Sequence, residues 1–328
     1  MNKTTFAPVL LLLPAVLQAQ TFTQVAPLPT SADLWGVDFV SPSIGFIAGE
    51  GHTLFKTTDG GDNWTSVALP GYQDGPFYNV TFATPSLGFV SGNSAIGSKD
   101  IFRTVDGGAT WAQVQSFPLG GSWYHQDYID GTTGFMGSNG GLVRTQDAGE
   151  TWLLRSGYPD CPVISGMDFI DANTGLVSGL IAGSSDEGIF KTTNGGQTWR
   201  LKHPRAANDV VYLSDLIAVA DSGVGVVRTH DGGETWFQTG ATIETGLGDI
   251  EVLGSNTLVG VSLGGDIWRS DDGGYSWNLR WIGEGDLPAS WSVSFQDSLN
   301  GHVVGPSGAI LASADGGLNW TRVNRGIS

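Results

Sequence analysis

Short apolar runs, separated by Gly, Asn, Asp and Ser, make up most of the chain. The first unit reads WGVDFV (residues 35–40), GFIAG (45–49), LFKTT (54–58) and WTSVAL (64–69). Runs of this length, bounded by turn-forming residues, are typical of β-strands. No segment after residue 19 has the apolar spacing of an amphipathic helix. The pattern predicts four-stranded antiparallel sheets.

The same order of runs recurs seven times, and each repeat contains an eight-residue segment that ends in Trp. These segments begin at Thr57, Thr104, Thr145, Thr192, Thr229, Ser270 and Ser313 and start 37 to 47 residues apart. A period of this length is typical of β-propellers, in which each repeat forms one blade of a ring. We predict an all-β fold, a seven-bladed β-propeller of four-stranded antiparallel blades, as a single domain over residues 20–328.

Each eight-residue segment has the composition of a tight turn. Its first residue is Ser or Thr, and its fifth is always Gly, as expected where the backbone has a positive φ. The third residue is Asp59, Asp106, Asp147, Asn194, Asp231, Asp272 or Asp315. The eighth residue is Trp64, Trp111, Trp152, Trp199, Trp236, Trp277 or Trp320.

These residue types predict a structural turn between the third and fourth strands of each blade. The hydroxyl and the carboxylate are expected to accept bonds from backbone N–H groups. The indole is expected to fill the gap between neighbouring sheets while its N–H finds a carbonyl. One carboxylate per loop supplies too few oxygen ligands for Ca²⁺, so we expect no metal there.

The segment resembles the Asp-box (BNR) motif, S/T-x-D-x-G-x-T-W, found in sialidases, sortilin-like receptors, some endo-glucanases and photosystem II assembly factors. Residues 35–64 (WGVDFVSPSIGFIAGEGHTLFKTTDGGDNW) are most similar to a unit of the photosystem II stability and assembly factor family, and the similarity runs through nearly the whole chain. That resemblance implies a seven-bladed, non-enzymatic scaffold for protein interaction or assembly. It also implies that partners bind on the face opposite the Asp-boxes.

Residues expected of a sialidase are missing. Sialidases of this kind carry an arginine triad and an early Arg-Ile-Pro motif, whereas the first arginine here is Arg103, in the second unit, and Arg-Ile-Pro does not occur. The five histidines fall in different units, which disfavours a metal cluster. We expect no enzymatic activity, no cofactor and no metal. The alternative is a glycan-binding or glycoside-hydrolase-like protein, which would need two carboxylates about 5–10 Å apart.

Alignment of the first strand of each unit places chemically similar residues in columns. An aromatic column contains Trp35, Tyr78, Tyr124 and Trp291. An acidic column contains Asp38, Asp127 and Asp168, with Glu251 as the equivalent in the sixth unit. We predict that both columns lie at the mouth of the central channel, where rings could stack on a sugar or an extended peptide and acids could attract a cation. The alternatives are that the rings pack as core and that the acids bind backbone groups of the next blade.

A basic column precedes the Asp-boxes: Lys56, Arg103, Arg144, Lys191, Arg228 and Arg269. Since the period spreads these residues around the ring, we expect them to pair with acids of the adjacent blade or with Asp-box carboxylates, rather than to form one patch. The single cysteine, Cys161, excludes internal disulfides. A buried, inert thiol is expected, with an intermolecular bridge as the alternative.

Residues 1–19 have the pattern of a secretory signal, with Lys3 before an apolar stretch and Ala19 near the expected cut. No later segment is apolar enough to span a membrane. The net charge of −17 at pH 7 disfavours nucleic acid and anionic membranes and favours cationic partners. We therefore expect a secreted or periplasmic monomer whose partner is another protein or, as the alternative, a glycan. Residues 21–26 resemble a fourth strand and are predicted to close the ring against the last blade.

Overall fold

The computed structural model describes residues 30–72, 75–93, 99–117, 123–138, 140–157, 160–181, 187–205, 208–223, 225–283 and 292–323. This part of the chain forms seven four-stranded antiparallel sheets, each drawn from one contiguous segment. The predicted seven-bladed, all-β propeller is confirmed. The predicted secretory signal and the closing strand at residues 21–26 lie outside the described residues.

Each blade is a simple meander of neighbouring strands. The first two blades contain β1 (Leu34–Phe39), β2 (Gly45–Gly49), β3 (Thr53–Thr57), β4 (Thr65–Ser66), β5 (Phe77–Phe82), β6 (Gly88–Asn93), β7 (Lys99–Thr104) and β8 (Ala112–Phe117). Blades three and four contain β9 (Trp123–Tyr128), β10 (Gly134–Ser138), β11 (Gly141–Thr145), β12 (Leu153–Gly157), β13 (Pro162–Phe169), β14 (Gly175–Ile181), β15 (Glu187–Thr192) and β16 (Arg200–His203).

The remaining three blades follow the same plan. Blades five and six contain β17 (Val210–Tyr212), β18 (Ala218–Asp221), β19 (Val226–Thr229), β20 (Phe237–Gln238), β21 (Leu247–Val252), β22 (Leu258–Ser262), β23 (Ile267–Ser270) and β24 (Asn278–Trp281). Blade seven contains β25 (Ser292–Phe295), β26 (Gly301–Val304), β27 (Ile310–Ser313) and β28 (Thr321–Arg322), with a short 3₁₀ turn at Pro306–Gly308. The fifth blade has the shortest inner strand, in keeping with its irregular sequence.

The first strand of every blade lies innermost. Each of these strands contacts the first strand of the next blade, and β25 contacts β1, so the seven strands close a ring around a central channel. The gaps between blades are filled by apolar residues of adjoining sheets. Between blades one and two, for example, Phe46 and Leu54 pack against Phe77 and Phe102. The described chain contains no helix with the length and apolar character needed to cross a bilayer.

Backbone bonds join the last blade to the first. The Leu34 N–H donates to the Gly305 carbonyl at 3.1 Å, and the Gly308 N–H donates to the Ala32 carbonyl at 2.8 Å. The fourth position of the last sheet is held by β28, which follows Trp320 in the chain.

Candidate functional site

The Asp-boxes are self-contained turns between the third and fourth strands. In the first box the Thr57 hydroxyl donates to Asp59 Oδ1 at 2.8 Å and accepts from the Gly61 N–H at 2.9 Å. Asp59 Oδ1 also accepts from the Asn63 N–H at 2.8 Å. The same three bonds recur in all seven boxes. These donors lower the pKa of the box carboxyls, to about 2 for Asp106.

Each box tryptophan lies between two blades, as predicted. Trp111 meets Phe82 of its own blade edge-to-face at 6.0 Å and Phe46 of the preceding blade at 6.1 Å. The prediction for the indole N–H is only partly correct. Trp277 and Trp320 donate to the carbonyl of their own box Gly, and Trp199 donates to the Ser156 hydroxyl. The N–H groups of Trp64, Trp111, Trp152 and Trp236 are buried without an acceptor among the described residues, because the ring position is set by packing between sheets.

The strand register separates two faces of the ring. Phe39 pairs with Gly45, which pairs with Thr57 at the start of the Asp-box. Leu34 pairs with Gly49, which pairs with Thr53 at the other end of the sheet. The beginning of β1 therefore lies at the face opposite the boxes. This is the face on which the channel mouth was predicted to bind a partner.

The aromatic column occupies β-bulges at that face. The register shifts between Leu34 and Gly36 in β1, which leaves Trp35 as the extra residue, and Tyr78 has the same position in β5. Tyr124 has the matching backbone position in β9. Bulges re-aim side chains out of the regular alternation of a strand. Trp291 lies outside the described residues.

Trp35 and Tyr78 stack on each other across the boundary between blades one and two. Their ring centroids are 5.0 Å apart and their planes differ by 11°. Both side chains are half-buried, so part of each ring remains open to solvent. Tyr78 Oη accepts a bond from Asn93 Nδ2 at 3.3 Å, and Asn93 Oδ1 accepts one from Lys99 Nζ at 2.8 Å. The pair is thus held in a fixed place beside the channel mouth.

The acidic column lines the central channel below that mouth. Asp38, Asp127 and Asp168 border a cavity of about 260 Å³. Glu251 borders the same cavity, and its pairing with Val259 matches the pairing of Asp38 with Phe46. The predicted equivalence of Glu251 is therefore correct. The polar residues His125, Gln126, Thr81 and Ser294 also line the cavity.

The same acids also bind the backbone of the next blade. Asp38 Oδ2 accepts from the Phe82 N–H, Asp127 Oδ2 from the Phe169 N–H and Asp168 Oδ2 from the Tyr212 N–H, each at 2.6 Å. The same side chains therefore do both things considered for this column: they line the channel, and they bind backbone groups of the next blade. Each carboxyl ties two neighbouring inner strands together while it faces the cavity.

Sequence alignment missed two further channel acids, Asp209 and Asp249. Asp209 Oδ2 accepts from the Ile250 N–H and Asp249 Oδ2 accepts from the Val293 N–H, both at 2.8 Å. They lie two residues before the acidic column and share its side of the strand, because strand side chains alternate. Because Asp249 lies two residues before Glu251, the sequence could have indicated that both side chains face the channel. In the fifth blade, the short β17 concealed the register of Asp209.

Burial in the channel raises the pKa of these carboxyls. It raises the pKa to about 6 for Asp38, Asp168 and Asp249. For Glu251, burial and then the charges of Asp249 and Asp38 raise the pKa to about 8. For Asp127, burial and then the charge of Asp168 raise the pKa well above the usual range.

Burial also shifts the pKa values of Asp209 and His125. Burial, followed by repulsion from Asp249, raises the pKa of Asp209 well above its usual range. Burial lowers the pKa of His125 to about 4, because it disfavours the imidazolium. Within the described part of the chain, no group of three or more His, Cys, Asp or Glu residues has an arrangement that could hold a metal ion.

Comparison with known proteins agrees with this architecture. The family model of the photosynthesis system II assembly factor YCF48 matches residues 15–157, which include the first three blades. The chain is an Asp-box propeller similar to the YCF48 assembly factors. No curated protein matches the sequence.

Solved propellers share the fold at low sequence identity. YCF48 bound to D1 peptide is 23% identical, with a TM-score of 0.67, covering 88% of this chain and 95% of that chain. YCF48 from Cyanidioschyzon merolae is 20% identical, with a TM-score of 0.67, covering 88% and 97%. The WD40 β-propeller domain of Doa1 is 14% identical, with a TM-score of 0.63, covering 92% and 97%.

The basic column of this YCF48-like propeller mostly binds backbone, which corrects the prediction that it pairs with acids. Lys56 Nζ donates to the Gly107 carbonyl at 2.9 Å and Arg103 Nε donates to the Ala148 carbonyl at 2.7 Å. Arg228 and Arg269 bind the Gly273 and Gly316 carbonyls in the same way. Each acceptor is the fourth residue of the next Asp-box, and none of the four is exposed, so its carbonyl needs a protein donor. Two members do pair with acids: Lys191 Nζ lies 2.7 Å from Glu234 of the next blade, and Arg269 Nη2 lies 2.6 Å from Asp271 in its own Asp-box.

Cys161 is a free, buried cysteine, 3% exposed. Burial raises the pKa of its thiol to about 11, which keeps it protonated at neutral pH. This environment agrees with the predicted inert thiol.

Proposed function

We propose that the protein is a non-enzymatic scaffold that binds an extended segment of another protein at the channel mouth. The observation that carries this proposal is the stacked pair of Trp35 and Tyr78, held on bulges beside an acidic channel. Partly exposed aromatic rings of this kind supply large contact area at low entropic cost and are enriched in protein-binding sites. Tyr124 and Trp291 belong to the same aromatic column of the sequence.

The charge of the site favours a segment with a basic side chain. Six carboxyls converge on the channel below the aromatic pair, and the whole chain carries a charge of −17. A Lys or Arg that entered the mouth would relieve repulsion among these acids, while neighbouring apolar side chains would pack on the rings. The similarity to YCF48, which has been solved bound to D1 peptide, supports a peptide as the kind of partner.

Mutation of the aromatic pair tests this proposal. The protein would be panned against a phage-displayed peptide library, and affinities of the enriched peptides would be measured by calorimetry. We expect enrichment of Lys and Arg beside apolar residues, and at least a tenfold loss of affinity in Trp35→Ala, as for a central interface aromatic.

Phe237→Ala is the matched control, since Phe237 is an exposed aromatic on the outer strand β20. It should bind the peptides as the unmodified protein does. Failure to enrich any peptide, or equal binding by Trp35→Ala, would contradict the proposal.

A glycan-active protein is the second candidate. Two observations favour it: Glu251 has a pKa of about 8 and could act as a proton donor, and ionisable acids lie in the same cavity. Against it, each aspartate of the channel is bonded to backbone N–H groups, which leaves few free oxygens for catalysis. A screen of glycosides would establish this alternative if turnover appeared and disappeared in Glu251→Gln.

We also propose that the protein is exported and acts in the periplasm or outside the cell. The secretory pattern of residues 1–19 supports this location. N-terminal sequencing of the protein recovered from the medium or periplasm should give a start close to Gln20. A protein that retains Met1 in the cytoplasm would contradict it.

A further inference from the structure

The junction between blades three and four breaks the pattern of the basic column. At four other junctions, the third-strand cation binds the carbonyl of the fourth residue in the next Asp-box. Here that carbonyl belongs to Gly195 and is taken by Arg155, from the fourth strand, whose Nε donates to it at 3.1 Å. Arg155 Nη2 also donates to the Asn194 carbonyl at 3.3 Å. Arg144, the third-strand arginine, has therefore lost its usual acceptor.

Arg144 is buried with an unused donor. The side chain is 7% exposed, and its Nε–H has no acceptor among the described residues. The guanidinium lies 5.4 Å over the Phe135 ring, which fixes its position. A buried, unsatisfied charged donor costs stability and calls for an explanation, such as a bound ion.

Arg144 and Arg155 line one cavity of about 120 Å³ on the Asp-box face, together with Gln146, Thr151, Leu153 and Asp147. A cavity of this size suits a small ion rather than a metabolite, whose pockets are typically a few hundred Å³. In the described chain, neither guanidinium lies within 4.0 Å of a carboxylate. The site is separate from the channel mouth, which lies on the opposite face.

The carboxylate in the cavity wall is already occupied. Asp147 Oδ1 accepts from the Thr145 hydroxyl at 2.8 Å and the Thr151 N–H at 2.9 Å, and Oδ2 accepts from the Thr151 hydroxyl at 2.6 Å. The neighbouring box of blade four carries Asn194 where the other six boxes carry Asp. With an uncharged amide at position 194, the two guanidinium groups share a cavity whose one carboxylate among the described residues, Asp147, is already bonded within its own box.

We propose that this cavity binds a tetrahedral oxyanion, phosphate or sulfate, either free or as an ester on a larger ligand. The planar guanidinium matches the oxygen spacing of such anions, and charge-assisted bonds of this kind are the strong ones. The bound anion supplies the acceptor that Arg144 Nε lacks and offsets the repulsion between Arg144 and Arg155. The site adds an anion-dependent contact to the face that carries the Asp-boxes.

Phosphate titration of the whole protein tests the proposal. Binding of inorganic phosphate would be followed by ³¹P NMR line broadening at constant ionic strength in NaCl, with sulfate as competitor. Saturable binding that sulfate displaces is expected. Arg144→Gln should weaken it at least tenfold, which corresponds to about 1.4 kcal/mol. Phenyl phosphate as a second probe distinguishes the ester from the free ion, since an ester site binds it at least as tightly as phosphate.

Arg103→Gln is the matched control, because Arg103 has the same strand position and its Nε is bonded to Ala148. It should change phosphate affinity less than twofold. Leu153→Glu is a second variant that should still fold, since Leu153 is 66% exposed at the cavity; its added charge should weaken binding several-fold. Non-saturable broadening, or an affinity in Arg144→Gln and Leu153→Glu that equals that of the unmodified protein, would overturn the proposal.

Discussion

At the scale of single residues, the fifth position of the Asp-box is Gly for two separate reasons. Gly108 has a φ of +74°, which other residues adopt only at a cost. A Cβ atom on Gly108 would also lie 2.3 Å from Cζ of Phe46 in the preceding blade. The sequence predicted the first reason. It could not predict the second, because contact between blades depends on the three-dimensional ring.

Substitution of this glycine should therefore be costly. We expect Gly108→Ala to lower the free energy of unfolding by about 2–4 kcal/mol, from the strained φ and the collision with Phe46 together. Urea unfolding followed by tryptophan fluorescence measures the change. Gly240→Ala is the control, since no atom lies within 4 Å of its added Cβ, and it should stay within about 0.5 kcal/mol of the parent. Similar losses in both variants would contradict this account.

At the scale of strands, carboxyl groups join neighbouring inner strands across the blade boundaries. Asp168 on β13 accepts the Tyr212 N–H of β17, and Asp209 beside β17 accepts the Ile250 N–H of β21. Adjacent first strands are not otherwise members of one sheet. These side-chain bonds therefore replace the backbone ladder where one blade meets the next.

Asp168→Asn separates the bond from the charge. Asn keeps an oxygen for the Tyr212 N–H but removes a negative charge that burial disfavours. Since the pKa of Asp168 is raised to about 6, we expect a gain of about 1–3 kcal/mol at pH 8 and little gain at pH 4, where the carboxyl is already protonated. Urea midpoints at the two pH values measure it. The exposed Glu150→Gln should show no such pH-dependent gain, and a loss at pH 8 in Asp168→Asn would disprove the interpretation.

Sequence patterns predicted the elements far better than the links between them. The alternation of short runs, with a Trp at the end of each box, gave the strands and their order, because both depend on local spacing. The use of Lys56 and Arg103 was mispredicted, because their acceptors are backbone carbonyls that no residue type reveals. Asp209 was missed because the register of a three-residue strand is set by its partners. The bulge at Trp35 has no local signature either, although the column itself was visible.

For the whole molecule, two sets of acids have opposite effects on stability. Box carboxyls such as Asp106 have pKa values below those of the unfolded chain, so their contribution is lost as the pH falls below about 4. Channel carboxyls have pKa values above those of the unfolded chain, so as the pH rises they lose their protons at a lower pH in the unfolded chain than in the folded protein. Their contribution to the free energy of unfolding therefore decreases as the pH rises from about 4 towards 8.

Buried histidines oppose the channel acids at intermediate pH. His125 and His302 have pKa values lowered to about 4, so they add stability as the pH rises to about 6.5. Above that pH the histidines add no further stability, while channel acids with the highest pKa values, such as Glu251, continue to lower it. We predict that the melting temperature falls between pH 6.5 and 8. Calorimetric scans at constant ionic strength measure it, and Glu251→Gln should flatten the decline; a melting temperature that rises over this interval would be incompatible with the channel chemistry.

The contiguity of each blade in the described chain has an evolutionary consequence. Blade seven contains its own fourth strand, and blade one contains its own first, so none of the strands among residues 30–323 that the structure describes is shared across the closing junction. A duplication or deletion of one repeat would then add or remove a whole sheet without re-threading its neighbours. The surface residues of each blade could thus change independently, as at Arg144 and Asn194, while the turn at each Asp-box stayed the same.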